Sequence, residues 1–174
     1  SRRQRQMCIR DRFQKRNIPV AVYAYVAAKD KKEMEKEAEE FYQASKKYKP
    51  TYYWLDVEEK TMDDMNSGVE TFRAKLESLG AKNIGIYIGT YFMEEHSIST
   101  DKFTALWIPT YGFDDGYYNA APDTNTEYDL HQYTSQGQLN GFSHYLDLNQ
   151  IAPTQDQEAI YRKLFKVQKD NSSS

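Results

Sequence analysis

An aromatic and apolar run that ends in carboxylates, at residues 52–59, most constrains how this chain can fold. The run reads Tyr-Tyr-Trp-Leu-Asp-Val-Glu-Glu and follows Pro50, a composition typical of a buried β-strand with polar residues at its C-terminal end. Side chains alternate across a strand, so Asp56 and Glu58 are expected on one face, roughly 7 Å apart at Cα. Two carboxylates that close cannot both ionise easily, so the pKa of one of them should rise.

The carboxylate pair by itself has two interpretations. A proton donor beside an ionised carboxylate is the arrangement that glycoside hydrolysis requires. An Asp-x-Glu sequence is also common at solvated strand ends, where it has no chemical role. The sequence around the pair has to decide between these interpretations.

The composition predicts one globular domain and argues against nucleic acid as the main partner. The chain has 174 residues, of which 39% are hydrophobic and 28% are charged, as in ordinary globular domains. Five arginines and one aspartate give residues 1–12 a charge of +4. The whole chain has a net charge of −3, so the remaining residues together carry −7. An acidic body does not suit nucleic acid. No apolar run reaches about 18 residues, so we expect no membrane span.

Cysteine and histidine usage predicts neither a disulfide nor a metal site. Cys8 is the single cysteine, and it lies in the basic leader at residues 1–12. We interpret this leader as non-native or disordered and exclude it from the fold; no secretory signal is visible in it. The three histidines are scattered, without the spacing of metal ligands. We therefore expect no cofactor.

Alternating strand and helix patterns predict an α/β domain whose last part is rich in strands. The apolar run at residues 18–26 indicates a strand buried on both faces, and residues 29–49 form an amphipathic helix pattern. After the carboxylate strand comes a helix that Asp63 or Asp64 caps and Gly80 ends. Further strands are predicted at residues 83–89, 103–109, 128–134 and 145–148, with a turn at 136–138, a long loop at 113–126 and a terminal helix at 154–167.

Four sequence blocks in a fixed order resemble the family-25 glycoside hydrolases, which are lysozymes of the Chalaropsis and phage-endolysin type. The blocks are PVAVYAY at 19–25, WLDVE at 54–58, ALWIPTYG at 105–112, and QYTSQG at 132–137 continuing to LDLN at 146–149. The resemblance covers roughly residues 13–168, interpreted as a lysozyme-like catalytic domain, with a linker at 169–174.

The resemblance implies an irregular TIM-like (β/α)5β3 barrel. The family begins with two strands, the first ending in an active-site aspartate, and here the arginine-rich leader stands in their place. We therefore expect the barrel to lack its first two strands, so that the domain is incomplete at its N-terminus.

The resemblance also implies a peptidoglycan hydrolase that cleaves the β-1,4 bond between N-acetylmuramic acid and N-acetylglucosamine without a metal. Carried over by motif, Glu58 would be the general acid/base, and Asp56 would stabilise the charged transition state or orient the substrate acetamido group. Asp147 would be a further active-site aspartate, although alone it would more often cap a turn. The implied partner is bacterial cell-wall peptidoglycan, bound by a monomer outside the cell or at the wall.

Aromatic residues near the predicted strand ends are candidates for contacts with a glycan. The chain has 15 tyrosines and 2 tryptophans, and tyrosine offers a sugar both a flat apolar face and a hydroxyl group. Each candidate could equally belong to the barrel core. The family usually has Trp where His131 stands, which would alter one sugar contact. The candidates are Tyr23, Tyr25, Tyr87, Trp107, Tyr111 and Tyr133.

Two other functions remain open on the sequence. A non-catalytic module that binds peptidoglycan or another glycan would bind purified walls without releasing new reducing ends. Another barrel glycosidase with an Asp-x-Glu strand, such as a chitinase, would prefer chitin oligomers to peptidoglycan.

Overall fold

A six-stranded sheet is the centre of the fold in the computed structural model, which describes Phe13 and residues 15–166. The strands are hydrogen-bonded in chain order; the first five run parallel and the sixth is antiparallel to the fifth. They are β1 (Val22–Tyr25), β2 (Tyr53–Val57), β3 (Ile84–Ile88), β4 (Ala105–Pro109), β5 (Leu130–Gly137) and β6 (Leu146–Ile151).

A capping aspartate precedes the helices at residues 31–45, 65–79 and 157–165, whereas the short helix at residues 90–95 follows Gly89 and has no side-chain cap. Asp30 accepts a hydrogen bond from the Glu33 amide at 2.8 Å, and Asp64, not Asp63, caps the second helix. The second helix ends at Gly80, whose φ of 112° suits glycine. The helices are α1 (Lys31–Ser45, followed by the 3-10 turn Lys46–Tyr48), α2 (Met65–Leu79), α3 (Thr90–Glu95) and α4 (Gln157–Phe165).

The larger hydrophobic core lies between the outer face of the sheet and helices α1 and α2. The predicted alternation in β3 is confirmed, since its three isoleucines are buried in this core. Met34 of α1 and Phe72 of α2 are fully buried in the same core. This packing fixes one face of strands β1 to β4 and leaves their other face for the site.

The inner face of the sheet has an apolar floor that helix α4 covers. The sheet curls so that Tyr23 of β1 and Ile151 of β6 line a common pocket. Gly85 is required here, because a Cβ at that position would lie 2.3 Å from the Trp54 ring. The floor consists of Tyr52, Trp54, Ala105, Leu130, Ile160 and Leu164.

The prediction that residues 18–26 form a strand buried on both faces is wrong. The strand covers four residues, and Tyr23 and Tyr25 are 63% and 45% exposed. Among the described residues β1 pairs only with β2, so it is an edge strand whose inner side chains have no neighbouring strand to cover them.

The last two strands are longer than predicted. β5 runs to Gly137, through the turn predicted at 136–138, and the register shifts against β6 between Gln132 and Thr134 and again before Gly137. Such bulges insert residues without ending a strand. The turn residues therefore predicted an end for β5 that is too early. The long loop is confirmed, since residues 110–129 contain no helix or strand.

The structure confirms a mixed α/β fold with a curled sheet whose last strand reverses direction. The (β/α)5β3 strand count and the absence of two strands stay predictions. The leader at 1–12, Val167 and the linker at 169–174 lie outside the described residues, so the predicted domain boundaries remain predictions too.

Candidate active site

A pocket of about 350 Å³ opens on the inner face of the sheet, and every strand contributes one residue to it. Glu58 follows β2 directly and Tyr111 follows β4. This position matches the C-terminal edge of parallel strands, where α/β barrels carry their sites. The lining residues are Tyr23, Asp56, Glu58, Tyr87, Trp107, Tyr111, Gln132 and Asp147.

Seven of the nine predicted site residues line this pocket, and Tyr25 and Tyr133 do not. Tyr25 lies on β1 and its hydroxyl hydrogen-bonds Glu59. Tyr133 projects from the face of β5 opposite to Gln132, and its ring lies 6.3 Å from that of His131. The structure therefore gathers the three predicted carboxyl groups but only four of the six predicted aromatic residues.

Asp56 and Glu58 form an interacting carboxyl pair. Burial raises the pKa of Asp56 to about 7, aided by a side-chain hydrogen bond to Glu58 and by the charge of Glu58. Asp56 Oδ1 is buried and has no hydrogen-bond partner among the described residues. The predicted rise of one pKa in the pair is thus found at Asp56, and the pair retains a proton up to near-neutral pH.

Asp147 faces the pair from β6, and its charge state depends on a carboxylate that the sequence analysis missed. Burial raises the pKa of Asp147, and the negative charges of Asp114 and Glu58 raise it further. Asp114 accepts hydrogen bonds from Thr134 Oγ1 at 2.7 Å and from the backbone amide and hydroxyl of Ser135 at 2.7 and 2.6 Å. These bonds lower the pKa of Asp114 and keep it ionised.

Gln132 connects two of the pocket tyrosines. Its Oε1 accepts a hydrogen bond from the Tyr87 hydroxyl at 2.8 Å and a short one from the Tyr111 hydroxyl. The glutamine is only 5% exposed, and burial raises the pKa of both tyrosines, so they stay neutral. Sequence reasoning missed Gln132, although its place beside Tyr133 in a strand meant that only one of the two could face the pocket.

Trp107 forms a fixed wall of the pocket. Its indole Nε1 donates a hydrogen bond to Asn149 Oδ1 at 2.9 Å. The ring meets Trp54 and Tyr87 edge to face, with centroids 5.4 and 4.9 Å apart. The indole is therefore held on two sides and presents a rigid apolar surface.

His131 does not contact the pocket. It is fully buried, and its Nε2 lies 2.7 Å from the Thr110 carbonyl oxygen. Burial lowers the pKa of His131, so the neutral ring donates from Nε2 to that carbonyl. The expectation that His131 alters a sugar contact is wrong for direct contacts, because the side chain packs among tyrosines on the far side of β5.

The described residues include no group of three or more His, Cys, Asp or Glu side chains arranged to hold a metal ion. Within the same residues, no helix is both long and apolar enough to cross a membrane. The chemistry available in the pocket is that of three carboxyl groups, which can exchange a proton and stabilise positive charge between aromatic walls.

Comparisons with known proteins agree on one family. The sequence model of the glycosyl hydrolases family 25 matches residues 9–142. A glycosyl hydrolase 25 of Streptococcus pneumoniae, described as a virulence factor participating in host cell invasion, is 63% identical; the match covers 90% of this chain and 69% of that chain, with a TM-score of 0.88. A comparison with curated proteins gave no match.

Two further solved structures are similar. The catalytic domain of an endolysin from bacteriophage P40 of Listeria monocytogenes is 25% identical over 89% of this chain and 75% of that chain, with a TM-score of 0.79. The modular autolysin LytC from Streptococcus pneumoniae, in complex with a synthetic peptidoglycan ligand, is 19% identical over 80% of this chain and 35% of that chain. Its TM-score of 0.65 shows a likeness of fold.

Proposed function

The chain belongs to the glycosyl hydrolases of family 25, and from this premise we propose that it is a peptidoglycan hydrolase. The bond it cleaves is the β-1,4 bond between N-acetylmuramic acid and N-acetylglucosamine. The observation that carries the proposal is the convergence of Asp56, Glu58 and Asp147 on one aromatic-walled pocket. The endolysin fold and the autolysin bound to a peptidoglycan ligand support the same substrate class.

In the proposed mechanism Glu58 is the general acid/base. The pair with Asp56 holds one proton near neutral pH, and their hydrogen bond lets that proton pass to Glu58. Glu58 gives the proton to the glycosidic oxygen as the bond to the anomeric carbon breaks. The remaining Asp56 carboxylate then stabilises the positive charge that develops on the sugar.

The second half of the reaction restores the proton. A carboxylate or the acetamido oxygen of the substrate forms a bond to the anomeric carbon. A water molecule then attacks the same carbon and displaces that carboxylate or acetamido oxygen. The deprotonated Glu58 accepts a proton from that water. Asp147, placed across the pocket, adds negative charge beside the developing cation. The enzyme is proposed to work as a monomer at the cell wall.

Glu58→Gln tests the proposal directly. The variant keeps the shape and hydrogen-bonding ability of the side chain but cannot donate the proton. We expect the release of reducing ends from purified Gram-positive walls to fall by about 100-fold or more, since general acid catalysis contributes a factor of this order. Thermal unfolding should stay close to that of the wild type, because Glu58 is exposed.

Glu94→Gln is the matched control, because Glu94 is an exposed glutamate of α3 that does not line the pocket. It should cleave walls at the wild-type rate. Cleavage by Glu58→Gln at that same rate would remove Glu58 from the acid role. Wall binding by the wild type without new reducing ends would favour the binding module, and a preference for chitin oligomers would favour a chitinase.

A further inference from the structure

Gln132 is a buried polar side chain that has one end satisfied by the protein and the other end directed to the pocket. Its Oε1 accepts hydrogen bonds from the hydroxyls of Tyr87 and Tyr111, which approach from β3 and from the loop after β4. Its Nε2 has no hydrogen-bond partner among the described residues, although the side chain is 95% buried and lines the pocket. The nitrogen is not among the fully buried polar atoms that lack a partner, so it is open to the pocket, where a ligand or water can accept its hydrogen bonds.

Apart from the hydroxyl of the exposed Tyr23, the other neutral donors on the pocket wall are already in use. The indole N–H of Trp107 is donated to Asn149, and the hydroxyl hydrogens of Tyr87 and Tyr111 are donated to Gln132. The two tyrosines also hold the glutamine amide in one orientation, because a carbonyl oxygen can accept from both hydroxyls at once. The Gln132 amide nitrogen is therefore a positioned donor that the described protein leaves for a ligand.

The pocket supplies acceptors in excess. The carboxyl groups of Asp56, Glu58 and Asp147 accept hydrogen bonds when ionised, and each can receive a sugar hydroxyl. A substrate carbonyl oxygen can only accept hydrogen bonds, so it needs a donor and cannot pair with an ionised carboxylate. The acetamido group of an N-acetylated sugar carries such an oxygen, and the Gln132 amide suits it.

We propose that Gln132 is a specificity-determining residue, whose amide nitrogen donates a hydrogen bond to the acetamido carbonyl oxygen of an N-acetylated sugar in this pocket. The inference rests on the proposed function and refines it by naming the substrate group that the pocket recognises. A site that hydrogen-bonds a substrate group discriminates against an analogue that lacks the group, because its own polar atom is then left unpaired.

The test compares two substrates with two variants. Purified walls are prepared in a fully N-acetylated and an N-deacetylated form, and both initial cleavage and sedimentation of the protein with the walls are measured. Gln132→Glu keeps an oxygen for the two tyrosine hydroxyls but replaces the amide N–H donor with a second acceptor. We expect its activity and wall binding to fall at least about ten-fold more on N-acetylated walls than on deacetylated walls.

Two further variants exclude trivial causes. Gln132→Met removes the donor without adding charge and should lose the same selectivity. Gln43→Glu makes the identical chemical change on the exposed surface of α1 and should keep it. Thermal unfolding of each variant shows whether the chain is folded before the rates are compared.

Each outcome decides a separate point. Equal losses on both wall forms in the folded Gln132 variants would overturn the inference while leaving the proposed hydrolase intact. A wild type that cleaves neither wall form would overturn the proposed function and the inference with it. If deacetylated walls are bound but not cleaved, the deciding quantity is the ratio of binding to N-acetylated walls over binding to deacetylated walls. A ratio in Gln132→Glu equal to that of the wild type would overturn the inference.

Discussion

At the scale of single residues, position in the fold sets the charge state of the carboxyl groups in the pocket. Asp56 is held within β2 on a buried face, whereas Glu58 follows the strand and is exposed. Asp114 is a carboxyl group of the same kind as Asp56, yet three hydrogen bonds lower its pKa while burial raises that of Asp56. Residue type alone therefore does not predict which group carries a proton.

The raised pKa of Asp56 predicts how stability depends on pH. Its pKa rises from 3.8 in the unfolded chain to about 7, so between these values the folded state binds more protons. The contribution of Asp56 to the free energy of unfolding is therefore largest below pH 4 and is lost as the pH rises to about 7. Asp56→Asn should remove this loss and stabilise the protein at pH 8 by on the order of 2 kcal/mol.

Urea unfolding of wild type and variant between pH 4 and pH 8 measures this effect. The difference between the two free energies of unfolding should widen as the pH rises. Asp63→Asn is the matched control, because Asp63 is an exposed aspartate in the loop after β2. A constant difference between wild type and Asp56→Asn across this range would contradict the raised pKa.

At the scale of elements, neighbouring strands are matched by side-chain size. Gly85 of β3 lies opposite Trp54 of β2 in the parallel register, and the missing side chain of the one makes room for the ring of the other. The Trp54 ring in turn supports Trp107 on the pocket wall. The sequence predicts both strands but does not show that this glycine and this tryptophan are partners.

Gly85→Ala tests this match. The added Cβ would lie 2.3 to 2.9 Å from ring atoms of Trp54, so the ring or the strands must move. Such overpacking costs about 1–3 kcal/mol, which should appear as a lower midpoint of urea unfolding. In Gly89→Ala the new Cβ meets nothing within 4 Å, and its stability should stay within about 0.5 kcal/mol of the wild type. Equal stability of both variants would show that the ring moves freely.

At the scale of the whole molecule, the end of the described chain closes the inside of the sheet. Ile160 and Leu164 of α4 pack against Tyr52 and Trp54, which lie more than a hundred positions earlier in the sequence. The apolar floor beneath the pocket therefore exists only after β2, β4, β5 and α4 have assembled. We expect unfolding to be cooperative for this reason.

Leu164→Ala should destabilise the whole molecule rather than the helix alone. Leu164 is 2% exposed, and truncation of a buried leucine to alanine costs about 2–5 kcal/mol. Tryptophan fluorescence and far-UV circular dichroism should shift together to a lower denaturant concentration. Leu139→Ala makes the same change in an exposed loop and should have little effect. Loss of the helical signal before the fluorescence change would show that α4 unfolds independently.

The sequence by itself determined the local features of this protein. Hydrophobic periodicity located the helices and strands, an aspartate at 63 or 64 and Gly80 marked the two ends of α2, and the Asp56 and Glu58 pair identified the strand that carries the chemistry. These features depend on residues a few positions apart, because hydrogen bonds and side-chain periodicity within an element are local. The resemblance of four ordered blocks then placed Asp147 with the pair.

Only the tertiary structure decided which groups meet across the pocket. Gln132 faces inward and Tyr133 outward because the pairing of β5 with its neighbours decides which side chains point to the pocket. Bulges in β5 shift its register against β6. Asp114 reaches Thr134 across 20 positions of chain, and Tyr87 reaches Gln132 across 45. Such partners are brought together by the curl of the sheet, and no pattern of neighbouring residues encodes how far a sheet curls.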